Sequence, residues 1–230
     1  MNPLCLLGLN DSHLVALNEP GHRLQAEARD AFMAMQASAA EAGFQLMPAS
    51  SFRSFDRQLA IWNGKFEGSR PLLDANSQPL DAQALSEPER INAILHWSAL
   101  PGTSRHHWGT DVDVYDPSLL PEGTKLKLEP WEYEDGGYFY PLSLWLTANM
   151  ERFGFFLPFA QQSSGVAIHS GVAIEPWHLS YRPLSADCAS QLTLPLIADT
   201  LKMQQIAGKT HILKQLDNIF VRFISHSNED

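Results

Sequence analysis

The sequence predicts an α+β fold in which a small antiparallel sheet carries polar side chains and is flanked by helices. Two patterns support this prediction. Residues Thr110 to Tyr115 alternate between polar and apolar side chains, as in a strand with one face on a core. Between Gly21 and Ala42, apolar residues recur at helical spacing, and Gly43 follows where a C-terminal cap belongs.

The segment after this first helix is predicted to hold a strand and a second helix. Phe44 to Met47 is a short strand candidate. Ser54 is suited to cap a helix from Phe55 to about Asn63, because its hydroxyl can accept a hydrogen bond from a free backbone amide.

A loop and a third helix are expected next. Gly68 to Leu85 is polar and contains proline, which predicts a surface loop. Ser86 and Glu89 fit a capping box at the start of a helix that ends before Pro101.

The second half of the chain is predicted to add mainly helices. Glu129 to Tyr140 is acidic and aromatic, and it is either a mobile flap or a long loop. Leu142 to Phe153 is predicted to be a helix, and Gly171 to Tyr181 a strand interrupted by Pro176. Two helices are expected over Ser185 to Ile224. The last of these helices has an apolar stripe that is expected to pack into the core, formed by Leu213, Leu216, Ile219, Phe220 and Phe223.

Composition limits the class of protein. The chain has 230 residues, of which 44% are hydrophobic, and this is enough for one sizeable core. We therefore expect a single domain over residues 1–230. The formal net charge of −10 argues against nucleic acid or an anionic membrane surface as the main partner.

The cysteines and the N-terminus bear on location. Cys5 and Cys188 form no disulfide framework, so free thiols are expected, with a bridge between the two as the alternative. The apolar run from Leu4 to Leu9 follows no Lys or Arg, unlike an export signal. We expect a soluble cytoplasmic protein without membrane insertion, the periplasm or cell envelope being the alternative location.

A first cluster of metal-ligand residue types contains His106 and Asp113. They are seven positions apart and would face opposite sides of one straight strand, but Gly109 between them can supply a turn. Zinc accepts both imidazole nitrogen and carboxylate oxygen. His107 competes with His106, and Asp111 competes with Asp113 or could orient a ligand histidine.

The second cluster is Glu175-Pro176-Trp177-His178. Pro176 interrupts the strand, so Glu175 and His178 can turn toward one pocket. The two clusters together offer two imidazoles and a carboxylate for a metal, plus a second carboxylate for proton transfer. A hydrolytic zinc needs three protein ligands and one open position for water. The chain contains none of the patterns H-E-x-x-H, S-x-x-K and G-x-S-x-G.

Together these motifs resemble those of VanY-type D-alanyl-D-alanine carboxypeptidases, which belong to a wider group of zinc peptidases that includes lysostaphin-like enzymes and the hedgehog fold. Ser104–Asp113 matches the pattern S-x-H-x-x-G-x-A-x-D at every fixed position except Asp111, and Glu175–His178 matches E-x-W-H. Ser50–Gln58 resembles the family's arginine segment. The likeness covers about residues 24–182, and the expected helices at 185–224 have no counterpart in it.

The resemblance implies a role for each matched residue. One zinc ion per chain would be held by His106, Asp113 and His178. Glu175 would activate the water molecule and pass its proton to the leaving amine.

The remaining matched positions would act on the substrate. Arg53 would stabilise the polarised carbonyl and its oxyanion, while Ser104, Gln58 and Trp177 would bind substrate. Asp111 departs from the family pattern, which has alanine there, and it adds a negative charge near the metal.

The function expected from the resemblance is that of a zinc D,D-carboxypeptidase or dipeptidase acting on D-Ala-D-Ala peptides of peptidoglycan or its precursors. One alternative is an endopeptidase of the same fold that cuts elsewhere in the wall peptide, such as at L-Ala–D-Glu. Another is a non-catalytic zinc-containing binding module, against which the presence of Glu175 argues. The sequence does not specify the oligomeric state.

Overall fold

The structure is a computed structural model, and it describes residues 1–160 and 171–225. The α-helices of these residues are α1 Pro3–Leu6, α2 Ala26–Glu41, α3 Phe55–Phe66, α4 Glu87–Trp97, α5 Tyr140–Asn149, α6 Arg182–Gln191, α7 Leu194–Lys202, α8 Lys209–Lys214 and α9 Leu216–Ile219. The strands are β1 Val15–Ala16, β2 Arg23–Leu24, β3 Met47–Ser50, β4 Leu72–Leu73, β5 Pro79–Leu80, β6 Asp111–Tyr115, β7 Phe155–Phe156 and β8 His178–Tyr181. Short 3₁₀ segments and a final π-helical turn lie at Arg105–Trp108, Pro130–Glu132, Met150–Phe153 and Phe220–Ile224.

The central sheet has four antiparallel strands in the order β3-β6-β8-β7. This confirms the predicted small antiparallel sheet flanked by helices. In its register Asp113 on β6 pairs with His178 on β8 and with Ser50 on β3. Because directly opposed residues of an antiparallel pair lie close together, the register alone brings a carboxylate beside an imidazole.

The helix starts follow from local capping chemistry. The hydroxyl of Ser54 accepts a hydrogen bond from the backbone amide of Arg57 at the start of α3. Ser86 and Glu89 form the predicted capping box of α4. Gly43 follows α2 with a positive φ of 90°, a conformation that glycine adopts at little cost.

β3 begins three residues later than predicted. The amide of Phe44 donates to Ala39 at the end of α2, and the amide of Gln45 donates to the carboxylate of Asp116. Both amides are thus used outside the sheet, so pairing starts at Met47.

The predicted surface loop at 68–85 instead contains the hairpin β4–β5. The carboxylate of Asp74 accepts hydrogen bonds from the amides of Asn76 and Gln78 and so closes the turn. Leu72 is buried in the core, which ties this hairpin to the helices.

The last part of the chain also differs from the prediction. The strand expected over Gly171–Tyr181 is reduced to β8, because the amide of His178 donates to the carbonyl of Glu175 and forms a turn. Four helices, α6 to α9, replace the two expected. Pro195 lies in the first turn of α7, and Gly208, with φ of 74°, precedes α8. The apolar stripe of this region packs into the core as predicted.

Two hydrophobic clusters flank these elements. One joins α3, α4 and the C-terminal helices, and includes Trp62, Ile94 and Leu201. The other joins α2, β6 and α5, and includes Phe32 and Val112. Among the helices of the described residues, none has the length and apolar character needed to cross a bilayer.

Candidate metal centre

Three buried side chains converge at the centre of the sheet. One nitrogen or oxygen atom from each of His106, Asp113 and His178 lies within 4.8 Å of the others. Nε2 of His106 is 3.2 Å from Oδ2 of Asp113, and Nδ1 of His178 is 3.2 Å from Oδ1 of the same carboxylate. The structure therefore brings together the three predicted ligands in a group that could hold a metal ion.

His106 reaches this centre because the chain turns sharply before β6. Residues Arg105–Trp108 form a 3₁₀ turn, which Gly109 ends with a φ of 69°. A side chain at Gly109 would collide with Leu14. The amide of Gln25 donates to the carbonyl of Gly109 and fixes the turn against the start of α2.

His107, the competitor of His106, is excluded as a ligand by its hydrogen bonds. Its Nδ1 lies 2.6 Å from the carbonyl of Arg53, and its Nε2 accepts from the amide of Gly102 at 3.1 Å. These partners require the neutral tautomer with the proton on Nδ1. Burial lowers the pKa of His107 to about 3, which agrees with a neutral ring whose two nitrogens are both used.

Asp111 orients the His178 ring and is not a member of the group formed by His106, Asp113 and His178. Its Oδ1 lies 3.0 Å from Nε2 of His178 and accepts from Nε of Arg105 at 2.9 Å. Thr110 donates its hydroxyl to the other carboxylate oxygen. With Nε2–H of His178 directed at Asp111, Nδ1 is left facing Asp113, as in the carboxylate–histidine pairs that support metal sites.

The donor atoms fit a cation. Oδ1 of Asp113 is buried and has no hydrogen-bond partner among the described residues. Burial opposes a charge on His178, but the neighbouring carboxylates of Asp111, Asp113 and Glu175 raise its pKa well above the usual value. The centre thus attracts a positive charge at Nδ1. A metal ion can replace that proton, and two imidazoles with one carboxylate are a donor set that suits zinc.

Glu175 lies at the edge of this centre. Its Oε2 is 3.3 Å from Nδ1 of His178, and its side chain keeps 15% exposure. The turn before β8 holds it there, since its amide donates to Phe159 and its carbonyl accepts from His178. A carboxylate that is both near the ligands and open to the cavity can exchange protons with a bound molecule.

Arg53 faces the same cavity from the turn between β3 and α3. Its guanidinium donates to Gln58 Oε1 at 2.9 Å and to Ser50 Oγ at 3.1 Å. Burial lowers the pKa of Arg53, while the charges of Asp113 and Glu175 raise it. The two hydrogen bonds fix the guanidinium and leave donors free in a fork that suits a carboxylate or an oxyanion.

Gln58 was expected to bind substrate, and the structure places it behind Arg53. It is fully buried, and its amide nitrogen donates to the carbonyl of Ala99 at 2.7 Å. Its oxygen is used by Arg53, so neither end of the amide faces the cavity.

A cavity of about 480 Å³ connects the centre to solvent. Ser104 and Trp177, both expected to contact substrate, line it. Several other lining residues come from remote segments and were not predicted from the sequence. They include Lys65, Arg70, Lys127, Leu128 and Phe223. No motif spacing marks them, because the tertiary fold alone brings them to the site.

The acidic, aromatic segment after β6 is a loop that hydrogen bonds and ring packing hold against the sheet. The buried carboxylate of Glu132 accepts hydrogen bonds from the amides of Lys127 and Glu129. Tyr133 is buried, donates its hydroxyl to the carbonyl of Val114 on β6 and packs on Trp177. Of the two alternatives for this segment, the geometry favours a fixed loop that forms one wall of the cavity.

The fold is that of the zinc peptidases, and the family match of this chain supports a peptidase. Residues 21–184 match the family VanY, D-alanyl-D-alanine carboxypeptidase. This range covers most of the chain, and the chain belongs to that family.

Proteins from two organisms illustrate the similarity in sequence. A Haemophilus influenzae protein, described only as uncharacterized, is 43% identical over 125 residues, covering 54% of this chain and 92% of the relative. The D-alanyl-D-alanine carboxypeptidase of Enterococcus faecalis is 28% identical over 138 residues, covering 60% of this chain and 40% of the relative.

Solved structures share the fold. VanYB in complex with D-alanine-D-alanine superposes with a TM-score of 0.54 at 21% identity, covering 85% of this chain and 91% of that chain. A mutant of the vancomycin resistance D,D-pentapeptidase VanY, in complex with Zn(II), superposes with a TM-score of 0.53 at 22% identity, covering 88% of this chain and 90% of that chain. The LdcB LD-carboxypeptidase superposes with a TM-score of 0.51 at 22% identity, covering 83% of this chain and 78% of that chain.

Proposed function

We propose that this chain is a zinc-dependent D,D-carboxypeptidase that hydrolyses D-Ala-D-Ala-type bonds of peptidoglycan peptides or their precursors. The observation that carries the proposal is the arrangement of Glu175 and Arg53 around the group formed by His106, Asp113 and His178. Zn(II) and D-alanine-D-alanine in the related VanY structures support the choice of metal and substrate. A cytoplasmic location is part of the proposal, and cell fractionation tests it.

His106, Asp113 and His178 would hold one zinc ion per chain, with Asp111 fixing the ring of His178. A zinc ion there would supply Lewis acidity, which polarises a carbonyl and makes a water molecule more acidic. Three protein ligands leave a position open, as catalytic rather than structural sites require.

Glu175 would transfer the proton. As a carboxylate next to the ligand group it accepts a proton from the attacking water at an Oε atom, and it then delivers that proton to the nitrogen of the leaving amine. Its side chain keeps 15% exposure and lines the cavity, where the water molecule and the amine would both lie.

Arg53 would stabilise the negative charge that develops on the carbonyl oxygen. It is partly buried between Gln58, Ser50 and the cavity wall, and its two hydrogen bonds already orient its charge. We assign to Gln58 the positioning of Arg53 instead of direct contact with substrate. Ser104 and Trp177 would contact the substrate from the cavity wall.

Hydrolysis of defined peptides by zinc-loaded protein tests the proposal. We expect release of D-alanine from a peptide ending in D-Ala-D-Ala, no release after Glu175→Ala, and one zinc per chain in both proteins. Cleavage inside the peptide at L-Ala–D-Glu would identify an endopeptidase instead. Bound zinc without hydrolysis of either peptide would identify a binding module.

A further inference from the structure

The cavity carries more positive charge than the proposed chemistry uses. Within the described residues, five cationic side chains and three carboxylates line it, although the whole chain has a net charge of −10. Arg53 faces the ligand group, and Arg105 is paired with Asp111. Lys65, Arg70 and Lys127 have no assigned task.

Lys65 lies in a position where an unpaired positive charge would be energetically unfavourable. It projects from α3 into a largely buried position, and its ammonium donates to the hydroxyl of Ser98 at 2.8 Å. No carboxylate of the described residues forms an ion pair with it. Its pKa is lowered to about 8, chiefly by burial; Glu175 acts to raise this pKa, and the positive charges of Arg53 and Arg70 act to lower it. A desolvated ammonium without a counter-charge is unfavourable, and it is typical of a site that receives an anion.

Arg70 packs against α3 at Gly64, the residue that precedes Lys65. Gly64 lies within this helix, where glycine is less favourable than alanine. A Cβ atom on Gly64 would lie 2.9 Å from Cδ and 3.0 Å from Cγ of Arg70. The side chain of Arg70 therefore crosses the helix at Gly64. The amide of Arg70 and the hydroxyl of Ser69 both donate to the Gly64 carbonyl and fold the chain back.

We propose that Lys65 and Arg70 form a subsite that binds a carboxylate of the peptide substrate. The subsite occupies the part of the cavity lined by α3 and the segment after it, and the inference rests on the function proposed above. Lys65 supplies a point charge, and Arg70 supplies a planar fork that can hold both oxygens of a carboxylate. Ile61, Leu73 and Leu95 line the same cavity and lower its polarity, which strengthens such a contact.

The carboxylate can be the C-terminal group of the peptide or an acidic side chain next to the scissile segment. Four synthetic peptides separate these sources. Two end in D-Ala-D-Ala and differ only by Glu or Gln at the preceding position, and the other two are their C-terminal amides. We expect the parent protein to favour one charged form over its neutral counterpart by about 10-fold or more in kcat/KM.

The variants Lys65→Met and Arg70→Met should each reduce this preference toward unity while cleavage of the neutral peptide is largely kept. Lys214→Met is the matched control, because Lys214 is exposed on α8 and does not line the cavity. The ratio of kcat/KM between the Glu and Gln peptides reports binding of a side-chain carboxylate. The ratio of kcat/KM between the peptide acids and their amides reports binding of the C-terminal carboxylate.

A preference that stays at the parental value in both variants would overturn the subsite, as would an equal loss on all four peptides. Two separate substitutions keep the test valid if one variant does not fold. Failure of the parent protein to cleave any of the four peptides would instead count against the proposed function, so the two failures are distinguishable.

Discussion

Nε2 of His178 lies 3.0 Å from Oδ1 of Asp111, a carboxylate that also accepts from Arg105 and Thr110. This contact decides which nitrogen of His178 faces Asp113. The side chain that departs from the family pattern is thus the one that sets the tautomer of a proposed ligand.

We therefore expect Asp111→Asn to weaken zinc binding by about 10- to 100-fold, because a neutral amide holds the His178 ring less firmly. Competition with a chromophoric chelator measures the zinc affinity. Asp116→Asn is the control, since Asp116 is also buried and its carboxylate bonds Gln45 and Ser118 among the residues that the structure describes. Unchanged zinc affinity in a folded Asp111→Asn protein would contradict the orienting role.

The Arg105–Asp111 pair should be important for stability. Both side chains are almost completely buried, at 3% and 0% exposure. Arg105→Met leaves the carboxylate without this partner and should lower the free energy of unfolding by about 3–5 kcal/mol, as measured by urea denaturation. Lys202→Met breaks the exposed pair with Asp199 and should cost less than about 1 kcal/mol. Similar losses in the two variants would disprove this assignment.

Glu175→Ala should retain zinc and lose hydrolysis, with kcat reduced by roughly 10²–10⁴-fold, because a base near the ligands is removed without removing a ligand. Metal content and D-alanine release are measured on the same sample. Glu129→Gln is a control from the same cavity wall and should change kcat only a few-fold. Loss of zinc with activity intact is the result that this role does not allow.

Arg53→Met should lower kcat by roughly 10²–10³-fold, since it removes donors aimed at the developing negative charge. KM for the same peptide should change less. Arg57→Met, an exposed position on α3, serves as the control. A variant whose KM rises while kcat is unchanged would assign Arg53 to ground-state binding instead.

The pKa of Lys65, about 8, predicts a pH dependence. Lys65 is protonated below this value, so kcat/KM for the favoured carboxylate peptide should fall as the pH rises through it. Glu175, Arg53 and Arg70 are the charged groups that act on this pKa. Lys65→Arg keeps its charge at alkaline pH and should remove the decrease, which steady-state kinetics between about pH 7 and about pH 9.5 would show. Identical profiles for the parent and the variant would exclude Lys65 as the source.

Local signals predicted much of this structure. Ser54 and Ser86 mark helix starts because capping depends on a few neighbouring residues, and the alternation around β6 marks a strand for the same reason. The C-terminal helices were miscounted because the breaks at Pro195 and Gly208 are weak signals within an apolar region.

The functional site was only partly predictable from the sequence, because contacts between distant segments determine which side chains face it. The residues alone left His106 and His107 equivalent, because the 3₁₀ turn and the bonds to Arg53 and Gly102 determine which ring faces the sheet. The family pattern resolved this choice. Lys65 and Phe223 reach the cavity through contacts between distant segments, and no spacing along the chain records such contacts.

Two hydrogen bonds join the Arg53 turn to the histidine turn: the amide of Arg53 donates to the carbonyl of His106, and Nδ1 of His107 donates to the carbonyl of Arg53. The 52 residues between Arg53 and His106 therefore begin and end at two turns that these hydrogen bonds hold together. Evolution can lengthen, shorten or reshape this excursion, which carries Lys65 and Arg70, while the reacting groups keep their spacing. Selectivity and chemistry are thereby inherited as separable modules of one polypeptide.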